Sequence, residues 1–188
     1  MDTMRKSLTG TARWPGRRRA GGFASLEAGY AVLVALLGFG LVLMLAGRIR
    51  QRRNCDNYIK DLRVFAAAFE HSHQQRSTWP PSTHAEAALP PELADALKDT
   101  RWLKGSPFGG NYAWVAPDPA SAGDNSPRGW GDRGAVTLTA FSPGRPLAVS
   151  NSDLLYVDRE LDDGDLATGR FRTGFNGWPI FLVEAAKR

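Results

Sequence analysis

Residues 28–47 read AGYAVLVALLGFGLVLMLAG, twenty positions without a charge. At 1.5 Å of rise per residue a helix of that length spans about 30 Å, the thickness of a bilayer's hydrocarbon core. A secretory signal peptide has an apolar region of roughly 7–15 residues followed by a small-residue cleavage site. This run is longer and leads straight into Arg48, Ile49, Arg50, Gln51, Arg52 and Arg53. The expectation is therefore a retained, membrane-spanning helix.

Charge sharpens the picture. The chain carries 24 Lys+Arg against 19 Asp+Glu, a formal charge of +5. Residues 1–22 hold Arg5, Lys6, Arg13, Arg17, Arg18 and Arg19 against Asp2 alone, which accounts for the whole surplus and leaves 18 groups of each sign in the other 166 residues. A nucleic-acid protein keeps its basic charge on the folded domain, as a patch that neutralises phosphates. Here the surplus sits in a short leader, so no nucleic-acid partner is expected. Basic residues beside a span stay cytoplasmic. The leader's six outnumber the four at Arg48, Arg50, Arg52 and Arg53, which places the N-terminus inside and the C-terminal part outside. The single cysteine, Cys55, excludes an intramolecular disulfide framework and multi-cysteine zinc sites, leaving a small helix residue or a link between two chains.

One residue conflicts with a plain anchor. Glu27 stands at the cytoplasmic edge of the apolar run, and an unpaired acid within a bilayer costs about 2.5–3.5 kcal/mol on the lenient insertion scale. Either it is hydrated at headgroup level or it has a partner.

Its neighbours bear on that choice. Residues 17–27 read RRRAGGFASLE: a basic leader ends in Gly22, Phe23 follows, and Glu27 is the fifth residue counted from Phe23, just ahead of the apolar helix. This combination resembles the prepilin signature of type IV pilins and of the pseudopilins of type II secretion systems. The resemblance implies cleavage by a prepilin peptidase after Gly22, N-methylation of the new terminus Phe23, and an assembly role for Glu27. It further implies other pilin or pseudopilin subunits and an inner-membrane assembly platform as partners, membrane lipid around the span, and a bacterial inner-membrane location with the head extracytoplasmic. Physical chemistry runs parallel. Cleavage would free an α-amine with a reference pKa of about 7.7–8.0, a full helical turn from Glu27 within one chain. An axially shifted neighbour would bring that amine to the carboxylate, and a buried charge needs such a partner.

Tyr58, Leu62, Phe65 and Phe69 continue at spacings of 4, 3 and 4, with Asp56, Lys60, Asp61 and Arg63 between them, one apolar face of a helix. Trp79-Pro80-Pro81 ends it. The reading is one helix over about 23–77, roughly 80 Å long at 1.5 Å per residue: residues 23–47 in lipid, 48–78 beyond it, and a small head over 79–188. Within the head, Pro90-Pro91-Glu92 with Leu93, Ala94 and Leu97 predicts a short helix. Residues 111–115 and 135–141 predict strands, 116–133 an irregular excursion. Residues 153–157 with Leu161 predict a helix capped by Ser152 or Asn151, and 170–172 with 178–183 a hairpin. The expected fold class is α+β, a long helix packed on a small antiparallel sheet, as in a pilin.

Chemistry is sparse. Asp162, Asp163 and Asp165 around Gly164 offer oxygen ligands for calcium, without the spacing of an EF-hand; the plainer reading is a solvated turn. His71 and His73 lie two apart and His84 lies in a loop, a poor metal set on a helix. The tryptophans at 14, 79, 102, 114, 130 and 178 read as core or surface aromatics. No nucleophile elbow or phosphate loop is present, so neither enzyme activity nor a cofactor is expected. Two readings stand: a pilin-like filament subunit, or an uncleaved single-span protein with an external binding head. An export signal of the twin-arginine type at Arg17-Arg18-Arg19 is disfavoured by the long apolar run.

Overall fold

In the computed structural model, which describes residues 21–83, 88–117, 132–174 and 176–184 with side chains from residue 27 on, the first element is a 56-residue helix, α1 (Gly21–Arg76). It contains no proline, so its backbone ladder is unbroken. It stops where expected: Ser77 takes a left-handed φ of 57°, and its N–H bonds to the His73 carbonyl at 2.7 Å, a helix-terminating turn.

The chain divides into two units, residues 1–46 and 47–188. In the first, every described side chain, 27–46, is exposed, and the helix is long and apolar enough to cross a membrane. In the second, α1 buries one stripe: Cys55, Tyr58, Ile59, Leu62, Phe65, Ala66 and Phe69, positions three and four apart as a single helical face requires.

That stripe lies on a four-stranded antiparallel sheet formed by β1 (Asn111–Val115), β2 (Gly134–Thr139), β3 (Phe171–Thr173) and β4 (Pro179–Val183) in the order β1-β2-β4-β3. Register pairs Tyr112 with Leu138, Trp114 with Val136, and Val136 with Phe181. Because successive strand residues face opposite sides, Tyr112, Trp114, Val136, Leu138, Phe171, Phe181 and Val183 join the α1 stripe in one core, while Ala135, Ile180 and Leu182 form a small cluster of their own. The expected α+β class is the observed one.

Aromatic rings dominate the helix–sheet contact. Phe69 stacks on Trp114 with centroids 3.8 Å apart, and Phe65 sits edge-on between Trp102 and Tyr112 at 5.0 and 4.7 Å. The buried indoles donate to backbone carbonyls, Trp102 to Ala88 at 2.9 Å and Trp114 to Pro80 at 3.0 Å, as ring N–H groups in a core must. Gly134 is required by the same packing, since a Cβ there would lie 2.1 Å from the Trp114 ring.

Ahead of β1 stands a short turn of helix, Pro91–Leu93, running into α2 (Ala94–Leu97), and between β2 and β3 comes the eleven-residue α3 (Asn151–Leu161). Three local expectations are corrected. The α3 cap is Ser150, not Ser152 or Asn151: Ser150 Oγ accepts from the Asp153 N–H and the Asp153 carboxylate accepts from the Ser150 N–H, a reciprocal box that needs an acceptor three residues into the helix. The second strand covers Gly134–Thr139 and stops short of Phe141, which is 71% exposed and meets Trp178 edge-on at 4.8 Å. β3 begins at Phe171 and β4 at Pro179. Most of the excursion expected over 116–133, with Trp130, lies outside the described residues, as do Trp14 and His84.

Candidate functional site

Gly22, Phe23 and Glu27 fall on one uninterrupted helix, with Gly22 and Phe23 in its first turn. Phe23 and Glu27 are four residues apart, about 6 Å along the axis. Glu27 is exposed and makes no hydrogen bond or ion pair among the described residues. From Tyr30 to Ile49 the large apolar side chains are about half to three-quarters exposed, Tyr30 at 71% and Leu45 at 49%. The helix therefore presents apolar surface all round, which a bilayer or other apolar helices can cover.

Where α1 leaves this apolar zone it meets α3. A cleft is lined by Arg48, Gln51, Arg52, Cys55, Ser152, Asp153 and Tyr156. Gln51 donates to Asp153 Oδ1 at 2.7 Å, Arg52 lies over the Tyr156 ring at 4.9 Å, and Tyr156 donates to Asp56 at 3.2 Å. Cys55 is 2% exposed, and burial followed by the Asp153 charge pushes its thiol up to about 12. It is a protonated core residue, which disposes of a link to another chain through this sulfur in the folded state.

Further along, Asp61 accepts from the Tyr112 hydroxyl at 2.9 Å. Burial raises the Asp61 pKa, and the Tyr112 hydrogen bond and Arg101 oppose that rise.

The third grouping is acidic. Oxygens of Asp158, Asp162 and Asp163 lie within 4.8 Å of one another. Asp158 is on the buried face of α3 with Leu154 and Val157, and burial, then the Asp163, Asp162 and Asp165 charges, raise its pKa to about 6. Asp162 Oδ2 accepts from the Arg170 and Phe171 N–H groups. Asp163 accepts from the Asp165 N–H and the Thr168 hydroxyl, each at 2.9 Å, and these bonds hold it below the usual carboxylate range. Gly164 and Gly169 turn the loop with φ of 83° and 71°, conformations open to glycine.

The sequence-predicted residues are thus partly brought together. Asp162 and Asp163 converge; Asp165 instead accepts from the Ala167 N–H at 3.0 Å. Asp158 was missed, though its signal is visible: an acid at an apolar-face position, four residues after Leu154 and one after Val157. His71 and His73 do not converge. His71 is exposed and bonded to Gln75 at 2.9 Å, while His73 lies 4.3 Å from the Trp79 ring.

Compared with known proteins, the chain matches no protein-family model, no curated protein and no solved structure.

Proposed function

We propose that this chain is a pilin-like structural subunit, a minor pilin or pseudopilin of a type IV pilus or type II secretion pseudopilus, with no catalytic role of its own. The observation that carries the reading is the sequence RRRAGGFASLE, whose last seven residues open a single helix that is apolar all round and then becomes one-sided where the α+β head packs on it. Prepilin peptidase would cut between Gly22 and Phe23, removing the leader's whole +5 and with it the strongest cytoplasmic anchor. The head would lie outside the cytoplasm.

Two features of α1 support assembly in particular. The exposed apolar surface needs an apolar partner once it leaves lipid, and neighbouring helices of the same kind supply one. Glu27 has no hydrogen-bond or ion-pair partner among the described residues, and the Phe23 amine of an axially shifted subunit would give it one. The pair would set register as well as attraction.

Mass spectrometry of protein extracted from its native membrane tests the reading. The expected N-terminus is N-methylated Phe23. An intact Met1 would overturn it and leave the uncleaved single-span protein with an external head. Glu27→Ala separates the two further: a filament subunit would insert normally and fail to incorporate, whereas a plain anchor would behave as before.

A further inference from the structure

The apolar run of α1 ends in a cluster of arginines. Arg48, Arg50, Arg52 and Arg53 follow directly on Gly47, all are exposed, and none makes an ion pair among the described residues. In the orientation proposed above they stand on the translocated flank of the span, where basic residues are normally scarce. Helical geometry sets their height. Residues 28–47 take up the roughly 30 Å of hydrocarbon, and Arg48 and Arg52 lie about 2 and 8 Å further along the axis. The headgroup layer is about 5–8 Å deep on each side of the core. With α1 across a bilayer, these two guanidiniums are therefore level with the lipid phosphates.

Phase around the helix separates the four. Arg48 and Arg52 run into Cys55 and Ile59 at spacings of 4, 3 and 4, on the face that packs against the head. Arg50 and Arg53 fall off that face. The first pair, with Gln51 and with Tyr156 from α3, lines a cleft of about 300 Å³, the lower end of the range for small-ligand sites. Arg52 lies over the Tyr156 ring at 4.9 Å, a contact that holds the guanidinium to the cleft wall and uses none of its N–H donors. The acids nearby are met by neutral donors. Asp153 accepts from Gln51 at 2.7 Å and from the Ser150 N–H at 3.1 Å, and Asp56 accepts from the Tyr156 hydroxyl at 3.2 Å. Four guanidiniums thus stand near two carboxylates, and the cleft keeps a positive excess.

We propose that Arg48 and Arg52 bind the phosphate of an anionic phospholipid of the surrounding bilayer, seated in the cleft between α1 and α3. A planar guanidinium bonds two phosphate oxygens at once. A lipid has the advantage over a soluble anion because its own tails hold its phosphate at this height, which raises its effective concentration at the cleft. The proposal rests on α1 crossing a membrane and needs neither cleavage at Gly22 nor filament assembly.

The test reconstitutes the full-length chain in nanodiscs of phosphatidylcholine with a minor share of phosphatidylglycerol, releases it into uncharged detergent and weighs it by native mass spectrometry. The expected result is a single retained phosphatidylglycerol, enriched at least about tenfold over its share of the disc, since each basic residue at an anionic surface contributes about fivefold. Arg48→Gln and Arg52→Gln, on exposed residues that the fold does not need, should each lower the enrichment about fivefold. Arg50→Gln, off the cleft face, should leave it nearly unchanged. Glycerol phosphate and inorganic phosphate, offered in the same detergent without lipid, should be retained far less. Equal retention of the two lipids, an Arg50→Gln effect as large as that of Arg48→Gln, or free phosphate held as well as lipid would each overturn the proposal. A chain that does not enter the discs overturns the membrane reading and this proposal with it; one that enters and holds neither lipid above its share overturns this proposal alone.

Discussion

The two halves of α1 share a backbone and almost nothing else. Residues 27–46 expose every side chain, whereas from Cys55 to Phe69 the helix buries seven residues on one face against the sheet. Each half also carries a carboxylate in an unusual setting. Glu27 stands beside an apolar run with no partner among the described residues, and Asp61 is half-buried under the Tyr112 hydroxyl. One half is covered by its own chain; the other is left uncovered by the described residues. An apolar surface all round is stable in lipid or among like helices, and a single apolar stripe is stable against a head of its own.

The comparison breaks hardest at Phe65. Phe65→Ala removes a ring wedged between Trp102 and Tyr112 and should cost about 3–5 kcal/mol of head stability, measured by denaturant unfolding of the full chain in detergent. Leu41→Ala, on the exposed half, should leave that transition within about 0.5 kcal/mol. Equal losses from the two would mean the halves are not distinct.

A smaller effect is expected at Gly134→Ala. The added methyl would meet the Trp114 ring, itself stacked on Phe69, and overpacking of this kind costs about 1–3 kcal/mol. An unchanged midpoint would show that the indole can move aside.

Tyr112→Phe probes the internal carboxylate. It strips Asp61 of its donor and should cost about 1–2 kcal/mol, most at the pH values where the acid is ionised. Burial favours the protonated form of Asp61 in the folded chain. Its contribution to stability is therefore full below the ordinary carboxylate range and is lost as pH rises through the elevated value. Removing the Tyr112 hydrogen bond should make that loss steeper, so native and variant unfolding curves should converge on acidification. Parallel curves at every pH would assign the damage to packing alone.

The least change in head stability is expected at Glu27→Gln, within about 0.5 kcal/mol in the same unfolding experiment. On the proposed pilin-like reading, loss of the charge should instead abolish incorporation into a filament. A stability loss comparable with that of Tyr112→Phe would mean that Glu27 already has a partner within its own chain.

Patterns local in sequence were legible before any coordinates. The uncharged twenty-residue run, the 4-3-4 stripe from Tyr58 to Phe69, the proline stop and the strand at Asn111–Val115 each follow from a period or a breaker within a few residues. The capping box escaped because Ser150, Asn151 and Ser152 all suit a helix start, and only the reach of Asp153 decides among them. At the acidic turn, Asp162 and Asp163 were visible as a cluster while Asp158 was hidden among the residues of a helix face.

Sequence alone determined the long apolar helix, its termination and the Gly22, Phe23 and Glu27 pattern, because hydropathy, helical period and spacing are properties of neighbouring residues. Tertiary structure decided the rest. The strand order that puts β4 between β2 and β3, the stacking of Phe69 on Trp114, the Asp61–Tyr112 bond and the burial of Asp158 arise between residues far apart in the chain. Their energies depend on burial and mutual geometry, quantities that exist only once the sheet has closed on the helix.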